Sequence, residues 1–170
     1  MKPYPKESMS SVVKRAARAI LIDDEQRLLL IKRTKRDQPP YWTAPGGGVE
    51  PSDVSVEQAM RRELREEIGA EVGAVQQVFL VSTPAGEAGF GVQHFFVCRL
   101  ERLELDNRSG PEFADPSRGG YDLDRIAIGA DGSIQVDLKP ESLKAFIQTN
   151  WAALTDATAG LTEQTSQQLG

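Results

Sequence analysis

A chain of 170 residues, 39% hydrophobic and 26% charged, is long enough for one domain with a sizeable core and little more. Its formal charge of -5 argues against binding along a nucleic-acid polymer, which needs a clustered excess of Lys and Arg, but leaves a small anionic ligand open. Cys98 is the one cysteine and His94 the one histidine, which excludes an internal disulfide and any cysteine- or histidine-rich metal site. A hydroxyl–histidine–carboxylate triad would have to use His94, which sits in an apolar run, and no Gly-x-Ser-x-Gly turn is present. The chemistry must rest mainly on carboxylates.

Residues 1–11 are polar, carry two prolines and read as a flexible tail. They hold no apolar stretch like a signal peptide, and no segment reaches transmembrane length, so the expectation is a cytoplasmic protein without a membrane partner. Val12–Ile22 and residues 27–31 read as a strand hairpin around a turn at 23–26. A Pro- and Gly-rich loop follows over 37–52. Asp53 or Ser55 can cap a helix running to Ile68, with Gly69 ending it. Residues 75–82 and 92–103 read as strands, 106–120 as loop, and 121–128 as strand again. Leu143, Phe146 and Ile147 give 140–151 helical spacing, and 153–170 are polar enough to read as a tail. The expectation is one domain over 12–152, an α/β or α+β sandwich of mixed strands and two helices.

The acidic helix carries most of the chemistry. At about 100° per residue, Val56, Met60, Leu64 and Ile68 form one stripe. Glu63, Glu66 and Glu67 share a neighbouring face, with Glu63 and Glu67 bordering the stripe, while Gln58, Arg61 and Arg65 point away. A solvated charge belt belongs opposite the core, and like charges at this spacing cost a few tenths of a kcal/mol, roughly, per pair. A divalent cation would remove the conflict, since clustered carboxylates suit Mg²⁺ or Mn²⁺. Arg62 can pair with Glu66 one turn on. Taken alone the helix is a weak signal, because Arg and Glu alternate on many exposed helices. Upstream, Tyr41-Trp42-Thr43-Ala44-Pro45-Gly46-Gly47-Gly48-Val49-Glu50 adds three glycines that let backbone approach a ligand, among apolar residues ill suited to a mere tether.

Together these pieces resemble the Nudix box, G-xxxxx-E-xxxxxxx-R-E-U-x-E-E-x-G-U, where U is bulky and apolar. Arg62-Glu63-Leu64-Arg65-Glu66-Glu67-Ile68-Gly69 fits R-E-U-x-E-E-x-G throughout, and Pro45 to Glu50 is similar to the usual lead-in. There are departures. Counted from Gly47, Asp53 fills the first acidic position and the stretch to Arg62 is one residue longer; counted from Gly48, the length is right but Val54 stands there. The last position is Ala70.

The resemblance implies a Nudix-type α/β/α sandwich with a mixed sheet, and hydrolysis of a nucleoside diphosphate linked to another moiety. It implies Mg²⁺ or Mn²⁺ held by Glu63, Glu66 and Glu67, with the Gly47 carbonyl a further ligand and Arg62 an orienting partner. The general base would come from a box glutamate such as Glu63 or from a later loop, where Glu112 stands. Arg33 and Lys35 can contact a phosphate or be solvated. Trp42, Tyr41 and Phe90 can stack on a base or pack in the core. Cys98 reads as an inert buried thiol. The alternatives are a non-catalytic nucleotide-sensing module, against which the intact glutamates argue, and an isomerase of the same fold, against which the single His and Cys argue. Many relatives dimerise, so the resemblance allows a homodimer.

Overall fold

The computed structural model describes residues 11–107 and 116–168. β1 (Val12–Ile22) and β2 (Arg27–Thr34) form the expected hairpin. Its turn is closed by Asp23, whose carboxylate accepts from the Glu25 and Arg27 amides at 3.0 and 2.8 Å and from Arg27 Nε at 2.9 Å. The two strands pair only beside the turn, Leu21 with Leu29 and Ile22 with Leu28, and then diverge.

That divergence leaves backbone groups that need partners. β3 (Tyr41–Thr43) takes the freed edge of β2, and β4 (Gly46–Gly48) takes the freed edge of β1. Both strands lie within residues 37–52, expected as loop. Three-residue strands rich in glycine carry no alternation to reveal them; the splayed hairpin creates them.

β5 (Ala70–Pro84) runs antiparallel to β6 (Phe90–Leu103), and β6 runs parallel to β1. Both are longer than their apolar patterns predict, because their ladder continues from Ala70–Leu103 to Pro84–Phe90 through polar residues. β7 (Gly120–Ala127) pairs with the other edge of β2, and β8 (Leu138–Lys139) runs parallel to β3. The result is a mixed sheet of eight strands among the described residues.

Strand alternation divides the core. Ala17, Ala19, Leu21, Leu29, Ile31, Phe96 and Cys98 face α1 (Val56–Ile68). Ile20, Ile22, Leu28, Leu30, Phe95 and Val97 face α2 (Glu141–Gln168). This is the expected α/β/α sandwich. In α1, Met60, Leu64 and Ile68 are fully buried, each contributing about 1.5–3 kcal/mol. Ser55 is the N-cap, its hydroxyl accepting from the Gln58 amide at 3.0 Å; Gly69, at φ 65°, donates to the Arg65 carbonyl and stops the helix.

α2 runs on to Gln168, through most of the stretch that reads as a polar tail. The helix kinks at Asn150, whose side-chain amide donates to the Phe146 carbonyl at 2.8 Å, and then continues. Leu154 and Thr158 are buried on the continuation. Enough apolar spacing persists there to hold a helix that composition alone reads as tail. No described helix is long and apolar enough to cross a membrane.

Candidate active site

The sequence builds this site by pressing a glycine strand against an acidic helix. Along β4, alternation sends the missing side chains to opposite faces. A Cβ on Gly47 would strike the Glu63 carboxylate on the α1 side. A Cβ on Gly46, where φ is 139°, would strike the backbone of Ala17 and Arg18. At Gly48 a Cβ would meet nothing within 4 Å among the described residues. The first two glycines therefore let helix and strand approach to backbone distance, and the Gly46 amide donates to Glu67 Oε2 at 3.3 Å. Glu67 is buried at 7% exposure, an unusual place for a carboxylate on a helix that could have turned it outward.

Arg62 organises the other carboxylates. Its Nη1 lies 3.0 Å from Glu63 Oε1 and 3.1 Å from Glu66 Oε2, drawing both to one nitrogen. Its Nη2 donates to the Gly48 carbonyl at 2.9 Å, tying the helix to the glycine strand. Nε and Nη2 together grip both oxygens of Asp53 at 2.9 Å. Asp53 thus serves as the anchor for Arg62 while Ser55 caps the helix. The one-residue stretch before Arg62 and the short aspartate side chain still deliver the acid to the guanidinium.

The Asp53 carboxyl is held down at about 2, first by the Arg62 hydrogen bonds and then by the Glu50 amide. A carboxyl lowered on folding contributes stability above its ordinary value near ~3.9, and that contribution fades as pH falls through about 2. An NMR titration should find the Asp53 midpoint near 2, and Asp53→Asn should remove this part of the acid sensitivity of Tm. A midpoint at the ordinary aspartate value would mean that the grip does not form in solution.

On the other side of the glycine strand stands Arg18 of β1, which sequence reasoning did not single out. Its Nε donates to Gln93 Oε1 at 2.9 Å and its Nη1 to the Ala44 carbonyl at 3.0 Å. Burial lowers its pKa, while Glu67 and then Glu63 pull the other way, so the guanidinium and the helix carboxylates feel each other across one strand of backbone. The missed signal was alternation: Lys14, Ala16 and Arg18 share one face of β1. Beside them lies a cavity of about 280 Å³ that Gly48, Thr83 and Gln93 also line.

The remaining expected residues are scattered. Arg33 extends the α1 side of β2. Its guanidinium stacks 3.5 Å from the Tyr121 ring centre, Nη2 donates to the Arg118 carbonyl at 3.0 Å, and Nε is buried without a hydrogen-bond partner among the described residues. Lys35 is exposed, 5.8 Å from the Tyr41 ring. Trp42 is committed elsewhere: its indole N–H donates to Asp124 at 2.9 Å and its ring packs against the α2-side core. Glu112 lies outside the described residues. His94 accepts from Arg15 at 2.8 Å and faces Gln77 at 3.3 Å, so it is a neutral structural histidine, its pKa lowered by burial and then by Arg15. Burial pushes the Cys98 thiol up to about 12, which leaves it inert.

The donor set fits a hard divalent cation: carboxylate oxygens, with glycine backbone where a side chain would intrude. Among the described residues no trio of His, Cys, Asp or Glu closes into a finished cage.

Comparison with known proteins decides the family. The NUDIX domain model matches residues 13–117. The chain belongs to the NUDIX family. Its general chemistry is that of a Nudix-type pyrophosphohydrolase, a hydrolase of nucleoside diphosphates linked to another group. Several solved Nudix structures share the fold. A MutT NUDIX hydrolase from Burkholderia pseudomallei matches at 21% identity and a TM-score of 0.56, over 80% of this chain and 95% of its own. The NUDIX domain of Shewanella oneidensis NrtR, solved in complex with ADP ribose, matches at 18% and 0.56, over 89% and 94%. A MutT protein from Bacillus halodurans matches at 19% and 0.54, over 80% of each chain. A search of curated proteins finds no match.

Proposed function

We propose that this Nudix protein hydrolyses its diphosphate substrate with Mg²⁺ or Mn²⁺ held by Glu63, Glu66 and Glu67, the Gly47 carbonyl completing the protein ligands. The observation that carries this reading is the packing of α1 carboxylates into the space vacated by the Gly47 side chain, with Arg62 holding Glu63 and Glu66 at one nitrogen. When bound, the cation would neutralise phosphate oxygens and lower the pKa of an attacking water.

The reaction adds one water across a P–O–P bridge. The water oxygen bonds to one phosphorus, the bridging P–O bond breaks, and the displaced phosphate leaves with the electron pair. The water's proton passes to a carboxylate, for which Glu112 is the first candidate and Glu63 the second. Arg62 positions rather than reacts, keeping two carboxylates oriented through Asp53 and the Gly48 carbonyl. Arg33 is supported as a phosphate contact by its fixation on Tyr121; Lys35 adds an exposed cation near Tyr41. The substrate is a small nucleotide derivative.

The test is product release from a panel of nucleotide derivatives with Mg²⁺, Mn²⁺ or EDTA, run beside Glu112→Gln. Metal-dependent cleavage of one substrate class is the expected result, with a large fall in turnover and unchanged metal affinity in the variant. Full activity in Glu112→Gln would move the base to Glu63. No cleavage of any compound by folded protein that still binds nucleotides would replace the enzyme with a sensing module.

A further inference from the structure

We infer that the outer edge of β5 is an interface at which this chain pairs with a second copy of itself, strand to strand across a two-fold axis. β5 ends the sheet on its side, bonded to β6 and to no other strand among the described residues. Its start is covered, since Arg61 donates to the Val72 and Gly73 carbonyls at 2.8 and 2.7 Å. Over 74–84 no hydrogen bond joins its backbone to any described element other than β6. No residue of that stretch is buried, whereas Val92 and the run from His94 to Cys98 in β6 are. A bare edge of this kind presents a row of backbone donors and acceptors that another strand can take up.

Open edges are ordinarily guarded by charge, most often Lys, by proline or by bulges. This one carries little of that. From Val72 to Cys98, across the β5–β6 turn, Glu87 is the one charged residue in a chain that is 26% charged, and His94 is neutral. Glu87 lies in the turn, and proline comes only at Pro84, the last residue of the strand. The ladder with β6 runs in unbroken register from Phe79–Phe95 to Pro84–Phe90, so the irregular points fall outside that run. On the α2 side Phe79 stacks on Phe146 with ring centres 4.4 Å apart, which fixes the strand from behind. Leu80 alternates to the other side and is 48% exposed.

Charge selects the occupant. The chain carries -5, so two copies repel in general, yet this run brings no charge to a contact. Antiparallel pairing about a two-fold axis at Val81 sets Val81 against itself, Phe79 against Thr83 and Leu80 against Ser82, with like charges nowhere opposed. The two Leu80 side chains become diagonal neighbours, about 7–8 Å apart, and cover apolar surface that one copy leaves in water. A charged edge would call for a partner of opposite sign; a neutral run that matches itself calls for its own copy. The carboxylates of α1 stand against β4, which pairs with β1, and β6 lies between β1 and β5, so pairing leaves that site as it is.

The experiment is sedimentation equilibrium of the full chain, with amide hydrogen exchange read over 79–83. Wild type should dimerise reversibly by about 100 μM, and exchange over 79–83 should slow as the protein is concentrated. Because Leu80 is exposed, Leu80→Lys and Leu80→Glu should both fold. Each alone sets like charges beside the axis and should weaken the dimer at least about tenfold. An equimolar mixture of the two should restore it. A wild type that stays monomeric would overturn the inference, and slow exchange over 79–83 in that monomer would show another part of the chain on the edge. A dimer that neither variant weakens would place the interface elsewhere and overturn it as well. Loss in both variants without recovery in the mixture would contradict pairing about this axis.

Discussion

Glu67→Gln should cost on the order of 10²–10³-fold or more in turnover while leaving the fold intact. The amide is isosteric, and its oxygen can still accept from the Gly46 N–H that Glu67 Oε2 now engages at 3.3 Å. What disappears is a negative charge buried between the helix and the glycine strand, where the cation is proposed to bind and where Arg18 feels it. Glu66→Gln should behave alike in turnover, with even less effect on stability because its side chain is 37% exposed. Turnover numbers beside circular dichroism and thermal melts decide the matter. Near-normal activity in both variants would remove the metal assignment.

Gly47→Ala should also disable the site, by a different route. The added methyl would stand 2.5 Å from the Glu63 Cδ and from one of its oxygens, closer than real carbon contacts allow. Since the neighbour is the end of a flexible side chain, Glu63 can swing aside at small cost to stability. Displaced, it leaves Arg62 Nη1 and the carboxylate cluster. A loss of about 10–100-fold in activity or metal affinity is expected, with Tm close to wild type. Gly46→Ala provides the contrast. Its methyl would meet the backbone of Ala17 and Arg18 at a φ of 139°, so that variant should lose folding stability first. If Gly47→Ala instead loses stability and keeps activity per folded molecule, the glycine strand is structural and not a cradle for Glu63.

How much of this was legible follows from where each signal lives. α1 was readable because its periodicity, Gly69 stop and acidic face are all local. Even the placement of Glu63 and Glu67 beside the apolar stripe survives, with Glu67 buried and Arg65 exposed. Arg61 is less idle than its outward position implied, since it donates to the Val72 and Gly73 carbonyls at 2.8 and 2.7 Å, where the β5 ladder shifts register. The long-range pairings were not readable. For Trp42 the sequence left stacking and core packing both open, because nothing nearby reveals Asp124, its hydrogen-bond partner across the sheet. β3 and β4 exist because β1 and β2 diverge, a property of the hairpin's splay and not of residues 37–52 themselves. The end of α2 was misread for the opposite reason. Leu143, Ile147 and Leu154 do continue one helical face, but polar composition around them hid it.

The most direct measurement is Mn²⁺ binding by electron paramagnetic resonance, without substrate, in wild type and Glu67→Gln. The account predicts saturable binding in wild type that weakens at least about tenfold in the variant, with both proteins folded. Equal Mn²⁺ affinity in the two proteins would contradict it, because the buried carboxylate of α1 would then have no part in holding the ion.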